Sequence, residues 1–418
     1  MMISATAVSY ILLGIWLIIF KILKRYLFSN RGYFVLLLVM CSAGILLPID
    51  DYINYVSKQY DLSNIILFSV LMIITLIPWI KFDSWLKRVD CIRVCPAYIK
   101  LFKTTFSALF LLCLFAIIYA LPYGIAALSM GGNDIRTMEG DGLLPHTFAT
   151  TICTGAGCLT PVTILAFYIT LIEPRLKAYT VPMFIASLTY LFTSMPSCAR
   201  DGYIYIPLTY LFMYKIFKNS LSINGKTMLK KLAVFSLVGG LLVFLAITLD
   251  RFVGAEKGGN AQYGFIYGTW GYFFQQPYVF DQVLQHFTRF FGFNRRLKFL
   301  VPITGISGFE YDTRYADSFE WSFGTMYAEF YEMGGYIALF FMTIVFISIF
   351  WFFIAKHIRK KHIIALMIVF SIYLYHVITG LFYYRLGMNE SETLLYVFLV
   401  LFAFLVPKVL TVEYKKCV

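Results

Sequence analysis

The sequence contains few charged residues. Asp, Glu, Lys and Arg make up 14% of its 418 positions, whereas soluble domains contain about 25%. Hydrophobic residues make up 60%. A soluble fold cannot bury that much apolar surface, so most of the chain must face lipid. This composition excludes soluble enzymes and soluble binding domains.

The sequence also lacks the short motifs of the common enzyme classes. It contains no HExxH zinc motif, no Walker phosphate loop, no GxSxG nucleophile motif and no dinucleotide-binding glycine pattern. Cys91 and Cys95 have neither a second cysteine pair nor nearby histidines, which argues against a zinc site. We therefore expect no metal and no cofactor. A donor substrate must then carry its own activation, as a pyrophosphate-linked lipid does.

Positive charge is missing from the N-terminus, and no small-residue cleavage site follows the first apolar run. This pattern is not that of a signal peptide. Lys21, Lys24 and Arg25 follow the run instead, which predicts that the N-terminus lies outside the cytoplasm.

Long apolar runs predict an all-α, polytopic membrane protein with about eleven transmembrane helices. We expect one integral membrane domain over 1–418, a large extracytoplasmic loop at 250–322 and a cytoplasmic C-terminus. The runs lie at 4–23, 33–49, 64–80, 101–122, 147–171, 179–195, 203–217, 232–249, 332–355, 363–383 and 393–410.

The distribution of Lys and Arg supports this topology. Of the 35 cations, 24 fall in the segments predicted to be cytoplasmic, and this bias explains the net charge of +13 better than nucleic-acid binding does. Eight of the 11 outer cations are arginines, the residue suited to forked contacts with phosphate or carboxylate.

Two outer turns place an arginine where an anion can bind. Arg200 lies in the turn 197–202 at the predicted start of a helix, where the helix dipole and free N–H groups add to its charge. Arg136 ends the glycine-rich stretch 131–136, which lets the backbone approach a phosphate or acidic sugar closely. The alternatives are a snorkelling Arg200 paired with Asp201 and an ordinary polar turn at Arg136.

A third segment combines aromatic rings, carboxylates and a cation before the span at 332–355. It contains Arg314 and the candidate bases Glu320 and Glu329, because a carboxylate can accept the proton of an attacking hydroxyl. Glu332 is expected to lie in a solvated loop with ion pairs along the helix.

Two further features lie on the predicted outer face. Arg385 follows two tyrosines in the last outer turn, where it either binds an anion or anchors the helix at the interface. The aromatic stretch 263–293 carries Asp281, Gln282, Gln285 and Arg289 at helical spacings and predicts one or two interfacial helices.

This layout resembles the Wzy-type O-antigen or oligosaccharide repeat-unit polymerases. The resemblance is carried by the 197–201 turn, the aromatic loop after the eighth span, the aromatic-acidic stretch 317–335 that ends in two glycines, and Arg385. The turn reads Ala-Arg-Asp where Ser-Arg-Gly is commoner in the family.

The resemblance implies a metal-independent, GT-C-like glycosyltransferase at the outer face of the bacterial inner membrane. The donor would be a glycan on undecaprenyl pyrophosphate, and the acceptor a single lipid-linked repeat unit. Arg200, Arg314 or Arg385 would hold the pyrophosphate, and Glu329 or Glu320 would activate the acceptor hydroxyl. Expected protein partners are a flippase and a chain-length co-polymerase.

Three other functions fit parts of the pattern. An O-antigen ligase uses the same donor but transfers the glycan to lipid A-core. A flippase or exporter of lipid-linked oligosaccharide should have two pseudo-symmetric halves and charges deep in its spans, which the sequence does not show. A receptor or scaffold leaves the outer arginines unexplained.

Overall fold

The fold is mostly helical, as the apolar runs predict. The computed structural model describes residues 5–43, 61–130, 143–145, 147–197, 202–232, 238–239, 242, 245, 274, 276–286, 290, 325–381, 390–403 and 405–415. In chain order its elements are α1 Ala5–Leu23, α2 Arg31–Ala43, α3 Leu62–Thr75, α4 Ile77–Leu86, β1 Val89–Val94, α5 Ile99–Met130, α6 Phe148–Cys158, α7 Thr160–Ile172, α8 Thr180–Ser187, α9 Thr189–Ser194, α10 Gly202–Phe217, α11 Gln276–His286, α12 Met326–Lys360, α13 Ile363–Thr379, α14 Glu390–Phe402 and β2 Leu410–Tyr414.

Several of these helices have the length and composition of membrane spans. Among the described residues, three helical segments each qualify alone: Leu62–Leu86, which contains α3 and α4, Pro96–Met130, which contains α5, and Met326–Lys360, which is α12. The pair α6 and α7, bent by 53°, qualifies as a fourth span when taken together. These four coincide with predicted spans at 64–80, 101–122, 332–355 and 147–171. The fold is therefore compatible with an all-α membrane protein, while eleven spans and the GT-C fold remain predictions.

The chain divides into two compact units, each built from segments distant in sequence. One unit contains Met1–Ser84, Glu256–Phe352 and Thr379–Thr393. The other contains Trp85–Ala255, Phe353–Ile378 and Leu394–Val418.

The second unit contains a two-stranded sheet that the apolar pattern did not predict. β1 and β2 pair antiparallel, with Ile92 opposite Val412 and Val94 opposite Leu410. Arg93 lies 3.0 Å from the carboxylate of Glu413 across the sheet. The pairing requires both strands to lie on the same side of a membrane. The predicted topology satisfies this requirement, because it places both segments in the cytoplasm.

Helices of the second unit approach each other closely where one of them carries glycine. A Cβ on Gly124 would lie 2.8 Å from the Met195 side chain, and one on Gly157 would lie 2.7 Å from Thr193 Oγ1. Small residues at such contacts let helix backbones pack together in lipid, where van der Waals packing stabilises association.

The first unit contains a buried carboxylate that holds the turn before α2. Asp83 Oδ2 accepts hydrogen bonds from the backbone N–H groups of Phe28 and Ser29 at 2.9 and 3.0 Å. Ser29 Oγ donates to Asp83 Oδ1 at 2.5 Å and accepts from Trp79 Nε1 at 2.8 Å. Because the turn is buried, these donors depend on Asp83 rather than on water.

We expect Asp83→Ala to destabilise the protein by about 3 kcal/mol, because it leaves several buried donors without an acceptor. The measurement is the midpoint of thermal unfolding of the purified protein in detergent. Asp90→Ala removes an exposed aspartate and is the matched control, with little expected effect. Equal midpoints for the two variants would contradict a structural role for Asp83.

Candidate functional site

Of the six predicted site residues, the structure describes Glu329. Arg136, Arg200, Arg314, Glu320 and Arg385 lie outside the described residues, so their roles stay predictions.

The helix that carries Glu329 begins at a defined cap. Thr325 Oγ1 accepts a hydrogen bond from the N–H of Ala328 at 3.3 Å, which satisfies one of the free donors of the first turn. The Met326 N–H donates to the carbonyl of Gly380 at 3.0 Å, which links the helix start to a distant residue of the same unit. The first turn is thus held both within the helix and by a distant segment.

Glu329 lies in this first turn and is 6% exposed. A carboxylate near a helix N-terminus is stabilised by the helix dipole. Burial removes the carboxylate from bulk water. In this buried environment the side chain can exchange a proton with a bound hydroxyl without competition from water. The position therefore suits the role that the sequence predicts for Glu329.

Glu332 lies one turn further along the same helix face. The expectation that it is solvated is wrong, because it is only 8% exposed. Residues from Met326 to Met333 are all buried. Tertiary packing covers this short helix on every side, which local charge spacing does not reveal.

Two consecutive glycines separate this short helix from the long apolar part of α12. Gly335 has φ 67° and ψ −153°, a conformation that a residue with a Cβ adopts only under strain. A Cβ there would also lie 3.1 Å from Cζ of Phe290. Gly335 therefore permits the sharp change of direction between the turn of Glu329 and the apolar segment.

Three helix segments of the first unit pack against one another around Phe68. Phe68 on α3 contacts Phe280 on α11 and Tyr327 on α12, with ring centroids 5.6 and 6.2 Å apart. The Tyr327 hydroxyl donates to the Leu71 carbonyl at 2.9 Å, and the Tyr331 hydroxyl donates to the Leu284 carbonyl at 3.5 Å. These contacts fix α11 against both α3 and the start of α12.

Asp281 on α11 is fully buried and extensively hydrogen-bonded. Its carboxylate accepts hydrogen bonds from Asn64 Nδ2 at 2.8 Å, from Gln285 Nε2 at 2.9 Å and from the Asp61 N–H at 3.3 Å. Burial raises the pKa of Asp281, and the hydrogen bonds from Gln285 and Asn64 partly offset that effect. Asp281 thus fixes the rotation of α11 about its own axis.

Gln282 is the neighbouring buried polar residue and is 1% exposed. Within the described part of the chain, neither its Nε2 nor its Oε1 has a hydrogen-bond partner. Burying a polar group without a partner costs about 1–3 kcal/mol, so such groups are rare in native proteins. Within the described residues, the hydrogen-bonding capacity of the Gln282 amide is therefore unused.

Asp281, Gln282, Gln285 and Arg289 have helical spacing in the sequence, which by itself assigns none of them to a site; Arg289 lies outside the described residues. The available signal was polar residues within a strongly aromatic stretch, where each needs a partner. α11 had been expected to lie on the bilayer surface. In the structure its residues Gln276–Leu284 are buried within the protein.

The histidine in α13 belongs to a different, aromatic environment in the second unit. The His376 ring lies edge-on to Tyr396 at 4.9 Å and contacts Tyr375 at 5.4 Å between ring centroids. The Tyr396 hydroxyl donates to the Cys158 carbonyl at 3.0 Å. These contacts pack three helices together and account for the burial of His376.

The buried polar residues of the candidate site lie in two places: Asn64, Asp281 and Gln282 where α11 packs on α3, and Glu329 at the start of α12. Within the described ranges, no group of three or more His, Cys, Asp and Glu side chains is arranged to hold a metal ion. The site offers proton acceptance and hydrogen bonding to a neutral, hydroxyl-rich molecule. No family model, curated protein or solved structure matches this chain.

Proposed function

We propose that this protein is a membrane glycosyltransferase that polymerises undecaprenyl-pyrophosphate-linked oligosaccharide repeat units into O-antigen or a related surface polysaccharide. The observation that carries the proposal is the buried Glu329 at the capped start of a helix that continues into a long apolar segment. A carboxylate at the start of a helix that is long and apolar enough to cross a membrane supports the proposal, because lipid-linked sugars present their reactive ends at a membrane surface.

The proposed reaction transfers a glycan from one lipid carrier to the sugar of another. Glu329 accepts the proton of an acceptor hydroxyl as its oxygen attacks the anomeric carbon of the donor. The bond from that carbon to the pyrophosphate oxygen breaks, and undecaprenyl pyrophosphate leaves with the bonding electrons. The proton on Glu329 then passes to solvent, and Glu320 is the alternative base.

The leaving pyrophosphate requires stabilisation of its charge. Arg200, Arg314 and Arg385 are proposed to hold it by forked hydrogen bonds, with Arg136 as a further contact. Such contacts strengthen as the negative charge develops, so they lower the barrier rather than only binding the substrate. The reaction takes place at the outer face of the bacterial inner membrane in this proposal.

The function is tested by deleting the gene from its host and separating the lipopolysaccharide by gel electrophoresis. Loss of polymerisation should leave core molecules that carry a single repeat unit. Complete loss of attached glycan would overturn the proposal in favour of a ligase or a flippase. An unchanged ladder of chain lengths would exclude all three functions.

A further inference from the structure

We infer that α11 carries a sugar subsite in which the Gln282 amide binds two adjacent hydroxyls of a neutral ring. The inference rests on the proposed function only for the identity of the glycan, since the subsite itself is argued from the described residues. Nothing in the predicted mechanism uses this amide.

Gln282 cannot leave its buried position at low cost. Its neighbour Asp281 is held by donors from Asn64 and Asp61, both on the chain around the start of α3. Rotating α11 to bring Gln282 toward solvent would break these hydrogen bonds and leave the Asp281 carboxylate with only its donor from Gln285 on the same helix. The unpaired amide is therefore maintained by the packing around it, as preorganised binding groups are.

A primary amide recognises a ligand that offers an acceptor and a donor side by side. Gln282 presents a donor, Nε2, directly beside an acceptor, Oε1. Two adjacent ring hydroxyls match this pair, because one accepts from Nε2 while the other donates to Oε1. A secondary amide does not match, since its N–H and C=O groups point in opposite directions across the trans peptide-like bond.

The charge and the aromatic surroundings of Gln282 also favour a neutral sugar ring. The described helix Gln276–His286 contains no Lys or Arg, and the carboxylate of Asp281 lies next to Gln282, so an anionic group is disfavoured. Tyr278 lies one turn before Gln282 on the same face of α11 and is also buried. An aromatic ring beside a diol-binding amide suits the apolar face of a sugar.

The experiment uses the full-length protein, purified in lipid nanodiscs, and ligand-observed saturation-transfer NMR. The probes are the methyl glycosides of glucose, galactose and mannose. Methyl 3-deoxyglucoside is the control for the glucoside, because it lacks every adjacent pair of ring hydroxyls. The protein variant is Gln282→Met, which keeps the side-chain length but forms no amide hydrogen bonds.

We expect the wild type to bind at least one of the three glycosides. If the glucoside binds, the 3-deoxy analogue should bind at least fivefold more weakly than the glucoside. Gln282→Met should weaken glycoside binding at least fivefold and should raise the unfolding midpoint by about 1–4 °C, because an unpaired buried amide is removed.

Three results would overturn the inference. These are no binding of any probe to the wild type, equal binding by the wild type and Gln282→Met, and a lower unfolding midpoint for the variant. The last would mean that the amide already has a structural partner in the protein. Glycoside binding is measured without a polymerisation reaction. An unchanged lipopolysaccharide ladder after gene deletion therefore refutes the proposed function without refuting the subsite.

Discussion

Replacing Glu329 by Gln is expected to reduce polymerisation by about a hundredfold or more, the usual contribution of a positioned general base. The substitution preserves the size and polarity of the side chain at a site that is only 6% exposed, so the fold should persist. The neutral amide cannot accept the proton of the acceptor hydroxyl. The variant is produced in the deletion strain, and chain lengths are read from the lipopolysaccharide gel, with protein in the membrane quantified by immunoblot.

Glu332→Gln is the matched control for this experiment. Glu332 lies one turn from Glu329 on the same helix and is almost equally buried, at 8% exposed. It should retain polymerisation, because burial of a carboxylate alone does not confer the role of a base. A normal ladder with Glu329→Gln at normal membrane level would remove Glu329 from the mechanism. The same test would then be applied to Glu320.

Replacing Gly335 by Ala is expected to destabilise the protein by about 2–4 kcal/mol, through backbone strain and overpacking together. The added Cβ would occupy a conformation at φ 67° and press on the Phe290 ring at 3.1 Å. Relief of this strain requires the turn of Glu329 to shift relative to the apolar part of α12. We therefore expect a lower unfolding midpoint together with shorter polysaccharide chains.

Two other glycines provide controls for Gly335→Ala. Gly334 has φ 173°, an extended conformation open to any residue, and its added Cβ would meet only the Ala338 Cβ at 3.3 Å. Gly14 lies inside α1, where a Cβ would meet nothing within 4 Å, so alanine there should be neutral or stabilising. A Gly335→Ala midpoint equal to that of Gly14→Ala would contradict the proposed strain.

Much of the helical fold could be predicted because lipid imposes a simple rule on the sequence. In a bilayer every backbone group must be paired within its own element, so a long apolar run such as 101–122 becomes a helix regardless of its neighbours. The same rule predicted the spans at 64–80 and 332–355, where the structure has apolar helices long enough to cross a membrane. The β1–β2 pairing escaped prediction, because short strands of 6 and 5 residues outside the bilayer depend on a partner more than 300 positions away.

The candidate site was predictable only in part. Glu329 was identified from its place among aromatic residues before a span, and that signal is local. The solvated environment expected for Glu332 was wrong, because burial there depends on the packing of distant segments around the short helix. That Gln282 has no hydrogen-bond partner among the described residues could not be read from the sequence, since its environment exists only when α11 packs on α3.

The amino-acid sequence alone predicts a mostly helical chain with several helices long and apolar enough to cross a membrane, and it indicates Glu329 as a candidate base. Composition and local runs suffice for those conclusions, because hydrophobic transfer depends on each segment separately. Only the tertiary structure decided that Asp281 is held by Asn64, that Gln282 is buried without a partner among the described residues, and that Gly335 turns the chain beneath Glu329. These features depend on contacts between segments more than 200 residues apart or on backbone angles, and a local pattern of residues predicts neither such contacts nor such angles.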